Sequence, residues 1–205
     1  MTDFIYQAKN CLPEQLCNQI IQLFEMDKNK FKGETNEGIT TNIKDTTDLI
    51  ISHCSQQNEI WFNIENFLCE QLGVHIKEYV KYINKDYYKA ENNSGVDRSL
   101  FTDTNFYFGN FLIQKYEKGK GKYLYHHDFK IDYKEENYRA IAYIFYLNTI
   151  EEGGETEFWG NYRVKPECGK LLFFPSVWCY PHRGIMPISS DKYIITGWLL
   201  IKDFK

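Results

Sequence analysis

No stretch of this 205-residue sequence reaches the roughly 18 apolar residues of a membrane span, so a spanning helix is not expected. Nor does Met1-Thr2-Asp3-Phe4 carry the basic start and long apolar run of a secretory leader. The six cysteines, Cys11, Cys17, Cys54, Cys69, Cys168 and Cys179, show no C-x-x-C spacing. Reduced, mostly buried thiols in a cytoplasmic protein are the expectation. Positive charge is also short: 24 Lys and Arg stand against 28 Asp and Glu, for a net charge of -4. That balance argues against binding a phosphate backbone, which needs a basic face, so nucleic acid is not an expected partner. Lys115, Lys118, Lys120 and Lys122 form a local basic run, read either as a solvated loop or as the edge of a groove for an acidic substrate.

What is present divides into two unlike halves. The length suits one domain, residues 1–205, with helices and loops over 1–105 and a β-rich core over 106–205. In the first half, Pro13 to Phe24 opens on a proline and repeats apolar residues at helical spacing. A second helix is predicted from about Gln56 to Asn84, its stripe running through Ile60, Ile64, Phe67, Leu68, Leu72, Ile76, Tyr79, Val80 and Ile83, with Gly73 a point of interruption. Residues 32–48 and 85–105 are polar and read as loops; the second, with Tyr87, Tyr88 and Arg98, is a candidate lid. From Tyr107 onward, short β-rich segments follow at close intervals: 108–115, 123–129, 139–147, 156–159, 171–174, 178–183 and 193–201. Gly153-Gly154, Pro166, Gly169 and Pro175 punctuate them. A sandwich or barrel is expected, with Trp159, Phe173, Phe174 and Trp178 as core or rim packing.

Within that β half, Tyr123-Leu124-Tyr125-His126-His127-Asp128-Phe129 has the aromatic and apolar character of a strand. Side chains two apart on a strand project to the same side, so His126 and Asp128 can face one ion while His127 faces away. His182, in Tyr180-Pro181-His182-Arg183-Gly184, supplies a second imidazole. Two imidazoles and one carboxylate can hold one face of a non-haem Fe(II) ion and leave the other open. His75, beside the helical stripe, is read as structural or exposed.

The last strand carries a second signal. Lys192, Thr196 and Trp198 lie at even spacing in Asp191 to Ile201 and share one face. A lysine directed into a β core is costly to bury unless an anion meets it. A dicarboxylate that chelated the metal with one end and reached Lys192 with the other would be such an anion.

From Tyr107 to Asp203 the sequence resembles the prolyl 4-hydroxylase-like branch of the Fe(II)/2-oxoglutarate dioxygenases. The matching stretches, in order, are Tyr116-Glu117-Lys118-Gly119, His126-His127-Asp128, Arg139, Tyr146-Leu147-Asn148, Gly153-Gly154-Glu155-Thr156-Glu157-Phe158, Lys165 to Phe174, His182, and Lys192 through Trp198. The resemblance implies a double-stranded β-helix of the jelly-roll, cupin-like kind, with His126, Asp128 and His182 on iron. It implies Lys192 on the far carboxylate of 2-oxoglutarate, with Tyr116, Tyr146 and Thr196 bonding this cosubstrate. It also implies Trp198 packed beside the metal pocket and Arg139 in the substrate groove. Lys192, where hypoxia-sensing relatives have Arg, leans toward the collagen-type enzymes. Asp128 fills the coordination position that halogenating relatives leave open, which favours hydroxylation.

The implied chemistry consumes O2 and 2-oxoglutarate, releases succinate and CO2, and hydroxylates a C–H bond, with ascorbate as the reductant that such enzymes use. Three substrate classes remain open from sequence. They are a peptide or protein residue such as proline; a free amino acid, another small molecule or a nucleobase, the last disfavoured by the acidic balance; and no substrate at all, as in a metal-binding cupin-like module.

Overall fold

The computed structural model describes residues 4–35, 37–84 and 106–202. The candidate lid over 85–105, with Tyr87, Tyr88 and Arg98, lies outside the described residues. In chain order the elements are β1 (Tyr6–Ala8), α1 (Glu14–Met26), β2 (Phe31–Lys32), β3 (Lys44–Asp45), β4 (Thr47–Ile50), α2 (Ile51–Ser55) and α3 (Glu59–Asn84). They continue with β5 (Tyr107–Phe108), β6 (Leu112–Tyr116), β7 (Lys122–His126), β8 (Ile131–Asp132), β9 (Asn137–Tyr146) and β10 (Thr156–Phe158). The last are β11 (Tyr162–Val164), β12 (Leu171–Pro175), β13 (His182–Gly184) and β14 (Lys192–Lys202).

Among the described residues all strand pairs are antiparallel and form two sheets. The larger runs β1-β12-β9-β14-β6-β4-β2, with β5 joined to β14 and β8 to β9; the smaller runs β11-β10-β13-β7-β3. This is a mainly β core with flanking helices, as the strand pattern predicts, and jelly-roll-like, as the resemblance implies. Alternation along each strand sorts its side chains between two apolar layers. Ile113, Tyr143, Phe145, Phe173 and Ile195 face the helices and pack with Ile20, Phe24, Leu68, Leu72 and Tyr79. Their sequence neighbours Ile144, Tyr146, Phe174 and Ile194 face the smaller sheet and meet Phe158 and Val164. The site lies in this second layer, between the sheets.

The helices form where local chemistry allows. Pro13 precedes α1 in extended backbone, φ -60° and ψ 140°, and Lys30 Nζ meets the Phe24 carbonyl at the helix end, at 2.9 Å. Asn58 opens α3: its side-chain oxygen accepts from the backbone N–H groups of Ile60 at 2.9 Å and Trp61 at 3.4 Å. The helix then runs unbroken through Gly73, and its buried stripe starts at Trp61, not at Ile60, which is exposed. With the cap at Asn58, Trp61 falls in line with Ile64, Leu68 and Leu72.

Two further expectations change, and one open alternative is decided. Residues 32–48 are not only loop, because β2, β3 and β4 extend both sheets from the N-terminal half. Residues 178–181 are not strand, and Trp178 is 72% exposed. The lysine run does not line the cleft: Lys115 bonds Glu25 at 2.8 Å and Asp191 at 3.1 Å, and Lys120 lies 3.4 Å from Glu117.

Candidate metal centre

His126 and His182 are directly opposed across β7 and β13, which places their imidazoles side by side with ring centroids 4.3 Å apart. The β7 strand ends at His126, so Asp128 reaches the site from the loop beyond it and not from strand alternation. The three residues nonetheless converge, with one potential ligand atom from each within 4.8 Å of the others. Asp128 Oδ2 lies 3.5 Å from His182 Nε2. His127 is exposed and outside this cluster, although it reaches the cavity wall.

Each imidazole is oriented by its second nitrogen. His126 Nδ1 lies 2.8 Å from the Leu124 carbonyl, and His182 Nδ1 lies 3.1 Å from that of Tyr180. A carbonyl can only accept, so each Nδ1 donates to it, and Nε2 is the ring atom left to face a metal. Burial, and then the neighbouring His182, push the His126 imidazole down to about 3, which keeps it in the neutral, ligating form.

A bulge accounts for a contact that simple alternation would forbid. Between His182 and Gly184 the pairing moves from His126 to Tyr123, which places an extra residue in β7. Tyr123 and His126 therefore face the same side at a spacing of three, and their rings stack at 3.5 Å. On the outer face Tyr125 donates to the fully buried Glu157 at 2.6 Å, and Arg163 and Arg183 meet the same carboxylate at 2.6 Å each. Four strands of the smaller sheet are tied together behind the two imidazoles.

The cluster opens into a cavity of about 270 Å³ that the even-numbered residues of β14 line from Lys192 to Trp198. Lys192 is fully buried. Its ammonium donates to the Gly154 carbonyl at 2.9 Å and sits 3.9 Å from the centre of the Tyr116 ring. Burial pulls it down to about 7, against the raising effect of Glu155. Gly154 has φ +76°, and a Cβ there would come within 3.2 Å of Ile150 and 3.4 Å of Lys192, so glycine suits this approach.

The other predicted residues are distributed around this cation. Tyr116 lines the cavity and bonds Gln114 at 3.2 Å. Thr196 also lines it, donating to the Tyr143 carbonyl at 2.9 Å. Tyr146 lies one layer behind, 2.7 Å from Thr156, which is the hydroxyl that faces the cavity. Arg139 stacks on Trp198 at 3.4 Å, both on the cavity wall. Lys44, Gln114 and Thr156 are lining residues that sequence reasoning missed. Thr156 was within reach, inside the Gly153 to Phe158 motif; the other two bear no local signal.

Residues 111–200 match the model of the 2OG-Fe(II) oxygenase superfamily. An Arabidopsis thaliana protein described as probable prolyl 4-hydroxylase 10 is 34% identical over an alignment taking in 45% of this chain and 42% of that protein. The chain thus spans under half the length of this curated relative. Among solved structures, a Pseudomonas putida prolyl-4-hydroxylase superposes with a TM-score of 0.65 at 18% identity, covering 98% of this chain and 94% of that one. A Trichoplax adhaerens prolyl hydroxylase, solved with a hypoxia inducible factor peptide fragment, gives 0.66 at 17% identity, covering 97% and 84%. At these identities the structures show a shared fold.

Proposed function

We propose, on the match of residues 111–200 to the 2OG-Fe(II) oxygenase superfamily model, that this chain is an Fe(II)- and 2-oxoglutarate-dependent dioxygenase. It hydroxylates a C–H bond in a peptide or protein, with proline the foremost target, and releases succinate and CO2. The observation that carries the reading is one cavity with a two-imidazole, one-carboxylate cluster on its wall and a buried ammonium facing into it. A buried lysine without an anion opposes folding. A chelating diacid explains both groups together.

The donor set fits Fe(II): two imidazoles and a carboxylate leave coordination positions open. Iron, 2-oxoglutarate and O2 would supply the oxidising chemistry, with ascorbate as reductant; the protein supplies binding, orientation and exclusion of water. His126, Asp128 and His182 would hold the metal. Lys192 would bind the far carboxylate as a compact point charge, with Tyr116 and Thr196 on the same wall and Tyr146 reaching it only through Thr156. Trp198 would close the side of the pocket, and Arg139, stacked flat on its indole, would face the substrate. Leu112, Ile144, Phe174 and Ile194 supply the apolar part of a wall that is otherwise polar and charged. The same reading takes residues 1–205 as one catalytic domain, since strands before residue 51 extend both sheets.

The test is incubation with Fe(II), 2-oxoglutarate, O2 and proline-rich peptides, followed by mass spectrometry. Succinate formed together with a peptide one oxygen atom heavier supports the proposal. Succinate with oxygen added only to small molecules would move the substrate class. No succinate in any mixture would leave a metal-binding module.

A further inference from the structure

Along one side of the cavity wall runs a chain of polar side chains, Lys44, Gln114 and Tyr116 on the wall and Asp48 behind them, of which the catalytic reading uses only Tyr116. Lys44 and Asp48, both buried, form an ion pair at 2.7 Å. Gln114 Nε2 donates to the same Asp48 oxygen at 3.3 Å, and the Tyr116 hydroxyl lies 3.2 Å from Gln114 Oε1. Each link fixes the next. A carboxylate paired with an ammonium only accepts, so Gln114 must turn its NH2 toward Asp48. Its carbonyl then faces Tyr116, and a carbonyl can only accept, so the phenol proton points at Gln114. Little slack exists for another arrangement: Gly184 lets Tyr116 pack where a Cβ would come within 2.9 Å of the ring. Gly33 lies so close to Thr46, Lys44 and Asp48 that a side chain there would collide.

From this geometry we infer that Asp48 and Gln114 are positioning residues which turn the Tyr116 proton away from the cavity. Tyr116 then presents to 2-oxoglutarate only its ring and an accepting oxygen. Lys192, against that ring, is the donor for the far carboxylate, so the expected hydrogen bond from Tyr116 to the cosubstrate is not made in this chain. The inference rests on the proposal that the cavity holds 2-oxoglutarate.

The experiment is a double-mutant cycle on 2-oxoglutarate affinity, measured by calorimetry on the anaerobic Fe(II)-loaded protein. Gln114→Met keeps the volume and the Lys44–Asp48 pair but removes the acceptor, so the phenol proton is released toward the cavity. It should tighten binding by about tenfold, the factor that ~1.4 kcal/mol gives. Tyr116→Phe should then weaken binding about tenfold more in the Gln114→Met background than in the parent. Gln114→Leu, with a melting curve of the unliganded protein, serves as the second variant should the first fold poorly. Equal penalties for Tyr116→Phe in both backgrounds, or weaker binding on removal of Gln114, would overturn the inference. Absence of 2-oxoglutarate binding by the parent would instead overturn the proposed function on which it rests.

Discussion

Replacing Lys192 by methionine should make the empty protein more stable while destroying its cosubstrate site. Burial lowers the Lys192 ammonium from 10.5 to about 7. At pH 7 the unfolded chain carries a full charge there and the folded chain about half, so this depression costs folding about 4 kcal/mol. Methionine has similar length and no charge, but it gives up the bond to the Gly154 carbonyl and the contact with the Tyr116 face, about 1–2 kcal/mol together. A net gain of about 2–3 kcal/mol remains. Urea unfolding of metal-free protein at pH 7 reads it directly. The pH dependence carries the sign. With the native value depressed, the unfolded state binds more protons between about 7 and 10.5, so the parent gains stability as pH rises through that window. Lys192→Met lacks this slope, and its advantage should shrink toward pH 10. A variant less stable than the parent at pH 7, or an advantage that does not change with pH, would refute the reasoning.

Other perturbations test other parts of the site. 2-Oxoglutarate affinity should fall as pH rises above about 7, by up to about tenfold per unit, because the ammonium that attracts the anion is lost; calorimetry across pH checks this. Asp128→Ala should abolish turnover with most of the fold intact, whereas His127→Ala should be much milder, as read by succinate formation. Glu157→Ala should cost about 1.5–3 kcal/mol in urea unfolding, since it removes the charged hydrogen bonds that Tyr125, Arg163 and Arg183 make to one buried carboxylate. Phe145→Ala, in the layer against the helices, should cost about 3–5 kcal/mol by the same measurement without changing 2-oxoglutarate affinity.

Much of the site was legible because period-two alternation is a strong constraint. Lys192, Thr196 and Trp198 share a face of β14, and all three line the cavity. The His126 and Asp128 pairing was found by the same rule, although the strand stops at His126 and the loop completes the approach. The rule has no means of foreseeing a bulge, so the Tyr123 and His126 stack was hidden: one extra residue in β7 reverses the facing of everything before it. Gln114 and Asp48 were hidden for another reason. They are 66 residues apart, and no local pattern announces that β4 will pair with β6 and bring them together. The two-residue strands β2 and β3 are likewise products of tertiary pairing, too short to leave a period in a polar segment.

The claim that three side chains hold one ferrous ion is tested most directly by anaerobic titration of Fe(II) into the protein with 2-oxoglutarate present. One equivalent should bind in the parent and in His127→Ala, and binding should be lost in His126→Ala, Asp128→Ala and His182→Ala. Retention in any of those three, or equal loss in His127→Ala, would contradict the metal centre described.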